Sequence, residues 1–305
     1  MLDTLAPRAH DTAMNNHLKG LMITALGVMF IVPDALFVRL IEAEALAIAF
    51  WRGLFAGLLV LGLVTWTMGR GAVGNVLRAG PPAWGYMVLY GLSAPGFVVA
   101  ISLTSVANVV FILAAMPVFA TIFSRIWLGE PIVPRMVWTM VGVFLGLGVI
   151  LIGSKEQAGA HWTGDLVALG VALFFAAALT CVRQVRAQSM LPAVPVALIG
   201  GALLIQLFVD VLAPFAEFWP LFLGHGLFIA FASGLLVLGP RYLSSAEVAL
   251  LLLLETTLAP LLVWAVMGED PGRWTLLGGA IMISVLVISN LVALRRRRIR
   301  PGAGG

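Results

Sequence analysis

The chain has 305 residues, of which 61% are hydrophobic and 10% charged, with a formal net charge of +4 and a mean hydropathy of +1.07. Ordinary soluble domains carry roughly 25% charged side chains, so a soluble enzyme, a disordered chain and a fibrous protein are excluded and a polytopic membrane protein is expected. The single cysteine, Cys181, excludes a disulfide framework or a cysteine-based zinc site within one chain, and the basic excess reads as topology rather than nucleic-acid affinity.

A helix needs about 20 apolar residues to cross the bilayer core. Ten stretches of that kind follow one another, near 18–40, 46–68, 82–102, 105–127, 135–153, 163–183, 192–212, 219–240, 245–267 and 273–294. The expected fold class is therefore an all-α membrane protein with ten transmembrane helices. Residues 1–17 form a polar tail and residues 295–305 a basic one. The first apolar run is too long for the h-region of a cleavable signal, so the first span is expected to stay.

With the N-terminus in the cytoplasm, that side receives Arg8, Lys19, Arg70, Arg78, Arg125, Arg135, Arg183, Arg186, Arg241, Arg295 to Arg298 and Arg300, which is 14 of the 18 basic residues. The other side receives Arg39, Lys155 and Arg273 together with Glu42, Glu44, Glu156, Asp165, Asp210, Glu217, Glu269 and Asp270, while Arg52 falls inside a span. This positive-inside bias predicts that both termini are cytoplasmic. The terminal arginine run reads as a stop-transfer anchor beside anionic headgroups.

Sliding the chain against itself reveals a repeat. An offset of 139 pairs Ser105, Ala107, Val109, Leu113, Ala120, Gly129 and Glu130 with Ser244, Ala246, Val248, Leu252, Ala259, Gly268 and Glu269. An offset of 144 pairs Gly20 and Arg39 with Gly164 and Arg183. The units are 18–153 and 163–294, with five spans each. An odd count inserts the two copies with opposite orientation, so two inverted five-helix repeats are expected, an architecture of secondary transporters that places the substrate near the midplane.

The stretch Ser105-Val106-Ala107-Asn108 leading to Pro117 and Leu128-Gly129-Glu130-Pro131, echoed by Glu255, Ala259-Pro260 and Gly268-Glu269, resembles the EamA-type drug/metabolite transporter superfamily. The resemblance covers nearly the whole chain, and its layout is most similar to bacterial amino acid exporters of the YddG type. It implies a bacterial inner-membrane exporter of aromatic or neutral amino acids, in which helices one, three, four, six, eight and nine surround a central cavity. The superfamily also moves drugs, nucleotide precursors, sugars and vitamins, which stand as the alternative substrates. The implied partners are a small-molecule substrate and the lipid bilayer, with no cofactor, metal or nucleic acid, and the chain is expected to act as a monomer.

Intramembrane ionisable residues are costly and usually face the bundle interior. Asp34 follows Pro33, whose missing N–H tends to kink a helix. Arg52 lies at matching depth on the next span, since each is about six residues, or roughly 9 Å, from the outer edge. The two are expected to form an ion pair, with mutual neutralisation and helix packing favoured over direct substrate binding. Glu255 lies near the middle of the ninth span. Such a carboxylate is either neutral and hydrogen-bonded or a proton relay or cation site. Tyr86 and Tyr90 stand four apart on one helix face, and Tyr90 is roughly 12 Å inside the inner edge, too deep for the interfacial aromatic belt. His225 occupies the repeat position of Tyr86, either as an interfacial histidine or as a ligand. Of the neighbours Phe174 and Phe175, at most one faces a cavity. Asn108 and Glu247, at equivalent repeat positions, read as helix-terminal or headgroup residues rather than ligands.

The expected substrate contacts are thus Tyr86, Tyr90, His225 and Glu255, beside the Asp34–Arg52 pair, with Pro33, Pro95, Pro117 and Pro260 as helix breaks or hinges. No catalytic residues are expected. The chain lacks HExxH, GxSxG and paired intramembrane aspartates, and Ser233 stands about 12 Å along its helix from His225, too far for a dyad. No TVGYG-type filter or charged ring points to an ion channel.

Overall fold

The computed structural model describes residues 9–153, 162–185, 189–238, 242–243 and 245–299. The expectations that rest on Arg8, Lys155, Glu156, Arg186, Arg241, Ser244 and Arg300 lie outside these residues. No strand occurs among the described residues. This is what a bilayer demands of a chain that does not form a closed barrel, because only a helix satisfies every backbone polar group within one span.

The helices are α1 (Ala9–Ile31), α2 (Asp34–Leu40), α3 (Ala45–Met68), α4 (Ala72–Leu77), α5 (Pro81–Leu103), α6 (Val106–Leu113), α7 (Met116–Leu128), α8 (Pro134–Gly153), α9 (Trp162–Gln184), α10 (Ala193–Ile205), α11 (Phe215–Leu238), α12 (Ser245–Met267) and α13 (Arg273–Ile299). Among the described residues, 9 apolar stretches are long enough to cross a membrane, with α1–α2 and α6–α7 each counted as one. Helix α1 begins within the expected N-terminal tail, and α13 runs on into the basic tail.

The seventh expected span is where the structure differs. Residues 192–212 were expected to cross as one helix, but α10 stops at Ile205. Its end tightens through Leu207 N to Leu204 O at 3.2 Å and Phe208 N to Ile205 O at 2.9 Å. Asp210 then turns the chain, its Oδ1 accepting from Leu212 N at 3.0 Å, the local side-chain bonding by which Asp competes with a helix. The segment is held by Trp51, whose Nε1 donates to Val211 O at 2.7 Å and whose ring stacks on Phe215 at 4.2 Å.

Of the four prolines expected to break helices, two coincide with interruptions. Val32 and Pro33 separate α1 from α2, and Ala114 and Ala115 separate α6 from α7 just before Pro117. In each case the proline lacks the N–H that would continue the ladder. Helices α5 and α12 run uninterrupted through Pro95 and Pro260.

The helices pair across the bundle: α5 on α9, α1 on α11, α8 on α13, α3 on α10, α3 on α11, α5 on α10, α6 and α7 on α9, and α1 and α2 on α12. Glycine permits the closest of these approaches. A Cβ on Gly201 of α10 would lie 2.4 Å from Gly91 O of α5, and one on Gly146 of α8 would lie 2.7 Å from Gly278 O of α13. Small residues at membrane helix crossings let backbones approach in this way. The main buried core joins α2, α3, α5, α6, α7, α8 and α9 with parts of α10, α11, α12 and α13. The outward faces carry exposed apolar side chains such as Trp66, Ile126, Trp138, Leu145 and Ile152, suited to lipid contact.

Candidate functional site

The interruption at Pro33 sets the site. Helix α2 starts at Asp34, which turns an acidic side chain into the bundle at a point where the helix has been broken. Arg52 of α3 meets it as a two-pronged fork, Nε donating to Oδ1 at 2.9 Å and Nη2 to Oδ2 at 2.6 Å. A bidentate guanidinium–carboxylate pair is among the stronger polar contacts available to a protein. His225 of α11 completes the group, with Nε2 2.5 Å from Asp34 Oδ1.

All three are buried, Asp34 at 3% exposure, Arg52 at 8% and His225 at 0%. Phe37 stacks on the His225 ring at 5.2 Å, and the Arg52 guanidinium lies 5.6 Å from the centre of the Phe97 ring. His225 Nδ1 is buried and has no hydrogen-bond partner among the described residues.

Beside this group runs an aromatic ladder. Tyr86 and Tyr90 stack with ring centres 5.5 Å apart, and Tyr90 meets Phe175 of α9 at 5.4 Å. Phe174 is exposed on the outside, so the two adjacent phenylalanines divide between interior and lipid. Ser233 of α11 lies close to the Tyr90 side chain. Glu255 of α12 is half-buried. It interacts electrostatically with Asp34 and Arg52 and makes no hydrogen bond or ion pair among the described residues. Residues from α2, α3, α5, α9, α11 and α12 therefore converge, and Arg52 on the second span belongs to the group although that span was not among the helices expected around the cavity.

A second polar node lies near the start of α6. Thr104 Oγ1 donates to Asp165 Oδ1 at 2.8 Å, Asn108 Nδ2 to the same oxygen at 3.0 Å, and Thr275 Oγ1 to Asn108 Oδ1 at 2.6 Å. Asn108 is helix-terminal as expected by position, yet it links α6 to α9 and α13. Asp165, read as a loop acid, is fully buried. Its signal in sequence was only an acid at the first turn of an apolar helix, where the N-terminal dipole favours it. Glu247, the repeat counterpart of Asn108, pairs with His17 Nε2 at 2.8 Å. Among the described residues no cluster of three or more His, Cys, Asp or Glu side chains could hold a metal ion.

Residues 18–152 match the EamA-like transporter family. The matched residues run from Leu18 in α1 to Ile152 in α8, somewhat under half of the chain. No curated protein matches the chain. A solved structure described as "Crystal structure of protein" is 19% identical, with 91% of this chain and 98% of that one covered and a TM-score of 0.63. At that identity the likeness shows the fold alone, and it extends well beyond residues 18–152.

Proposed function

We propose that the protein is a secondary transporter that exports small organic metabolites, amino acids of the aromatic or neutral kind, across a bacterial inner membrane by alternating access. The observation that carries this reading is the convergence of charged, hydroxyl and aromatic side chains inside a bundle that contains an EamA-like domain. A zwitterion with an apolar side chain suits such a group. The aromatic ladder of Tyr86, Tyr90 and Phe175 offers stacking surface, Glu255 offers a carboxylate without an ion-pair partner among the described residues, and Arg52 offers a cation balanced by Asp34. His225 Nδ1 adds one more unused polar atom.

The two units, 18–153 and 163–294, act as inverted repeats in this reading. The helix pairing supports it, because exchanging the first five spans with the last five turns α5 on α9 into α11 on α1, and α3 on α11 into α10 on α5, while α8 on α13 and α3 on α10 map onto themselves. Both termini then face the cytoplasm, and the interrupted helices at Pro33 and Pro117 serve as hinges, with Pro95 and Pro260 as weaker points within continuous helices. The alternative, a drug, nucleotide or vitamin carrier of the same architecture, is separated by a proteoliposome uptake panel over amino acids, nucleosides and cationic drugs, each with and without a pH gradient. Saturable uptake of aromatic or neutral amino acids is expected, and flux confined to another class would replace the substrate assignment.

A further inference from the structure

Each end of the bundle carries an ion pair, and the repeat offsets relate one pair to the other. At the end reached by the C-terminus of α2, Arg39 Nε lies 2.8 Å from Glu269 Oε2, and Arg39 Nη2 donates to Thr104 O at 2.9 Å. The other oxygen of Glu269 accepts from Val106 N, at the start of α6, at 2.7 Å. At the opposite end, where α9 and α7 terminate, Arg183 Nη2 lies 2.7 Å from both carboxylate oxygens of Glu130, and Nη1 donates to Ser124 Oγ at 2.6 Å. Arg39 and Arg183 are related by the offset of 144, and Glu130 and Glu269 by the offset of 139.

Both carboxylates directly follow a left-handed glycine, Gly129 at φ 67° and Gly268 at φ 71°, which ends the preceding helix and turns the chain. Each pair crosses between the units. The arginine of the first unit holds the Gly-Glu corner of the second, and the arginine of the second holds the corner of the first.

Packing repeats the same rule. A Cβ on Gly20 would lie 2.5 Å from Tyr242 Cβ and 3.0 Å from Leu243 Cγ, and a Cβ on Gly164 would lie 2.8 Å from Leu103 C and Thr104 Cβ. Gly20 and Gly164 differ by 144, and Leu103-Thr104 and Tyr242-Leu243 by 139. One tight, charge-linked seam between the units is thus built twice, once at each end.

We propose that Arg39–Glu269 and Arg183–Glu130 are the two closures of the transport cycle, and that their balance sets which side of the membrane the interior site faces. The proposal rests on the transporter reading above. A rocking of one unit against the other that parts them at one end must separate arginine from carboxylate there, while the pair beyond the pivot stays closed. Both pairs are partly exposed, with side chains at 26% and 23% for Arg39 and Glu269 and 42% and 38% for Arg183 and Glu130. Ion pairs in such surroundings are worth about two- to fivefold in an equilibrium, enough to bias the orientation and weak enough to break in every cycle.

The test uses Ser233→Cys in a Cys181→Ala background as a reporter beside Tyr90, labelled in proteoliposomes with a membrane-impermeant maleimide from either side. Glu269→Gln removes the charge but keeps an acceptor for Val106 N. It should raise the ratio of labelling from its own end to labelling from the other by about two- to fivefold. Glu130→Gln should lower that ratio by a similar factor, and the double variant should return it close to the parent value. The exchanged pair, Arg39→Glu with Glu269→Arg, should recover part of the parent ratio.

Because the ratio is read within one folded population, lost yield does not imitate the effect. Shifts of the same sign, unchanged ratios, or no labelling from either side in both variants would overturn the proposal, and the pairs would then be static staples. Opposite shifts without flux of any substrate in the uptake panel would retain the closures and remove the transporter reading.

Discussion

At the scale of the residue, the Asp34, Arg52 and His225 group joins packing to function. Two opposite charges held in a buried site tolerate one another, but either alone is an uncompensated ion. Asp34→Ala or Arg52→Ala should therefore each cost about 3–5 kcal/mol, read as a fall in thermal unfolding temperature in detergent. The exchange of Asp34→Arg with Arg52→Asp should recover part of that loss, and additive losses in the double-mutant cycle would show that the pair does not interact energetically. Glu255 poses a different question because it has no hydrogen-bond or ion-pair partner among the described residues. Glu255→Gln should keep the fold and permit exchange down a substrate's own gradient, yet abolish the response of flux to an imposed pH gradient, since glutamine cannot titrate. A mutant whose flux still follows internal pH as the parent does would end the idea of proton coupling through this residue.

At the scale of the element, close helix crossings decide where substitution is tolerated. Gly200 and Gly201 are neighbours on α10, yet a Cβ on the first meets nothing within 4 Å and one on the second would lie 2.4 Å from a backbone oxygen of α5. A backbone atom cannot swing aside as a side chain can. Gly201→Ala should cost about 1–3 kcal/mol, and Gly200→Ala should be neutral or stabilise by up to about 1 kcal/mol, both measurable as shifts in unfolding temperature. The helix interruptions obey equally local causes. Pro33 and Pro117 stand at breaks that their missing N–H groups help to create, whereas Pro95 and Pro260 stay within helices whose neighbours hold them. Beyond the end of helix α10, Trp51 bonds Val211 and Asp210 bonds Leu212 and Ala213 in place of further helical turns.

At the scale of the whole molecule, orientation and repeat stand together. Single cysteines introduced as Arg78→Cys and Glu217→Cys in the Cys181→Ala background should react with impermeant reagents from opposite faces of the membrane. Labelling from one face would refute the assigned topology. Superposing the unit 18–153 on 163–294 in an experimental structure should relate them by an axis in the membrane plane, and a parallel relation would contradict the closures as well as the repeat.

The helical membrane fold was legible in the chain's apolar runs, because runs of bilayer length leave the backbone no other way to satisfy its polar groups in one span. The sequence also pointed to Asp34 and Arg52, since equal depth on consecutive antiparallel spans is a one-dimensional measurement. Only the tertiary structure brought His225 to Asp34, Phe175 to Tyr90, and Asn108 to Asp165 and Thr275, because those partners are separated by tens to hundreds of residues and no periodicity encodes which face of one helix meets which face of another. Arg39 and Arg183 were legible as repeat partners, as were Glu130 and Glu269. That Arg39 meets Glu269 and Arg183 meets Glu130 follows from how the helices pack, and packing is set by the close approach of whole surfaces rather than by the spacing of residues along a chain.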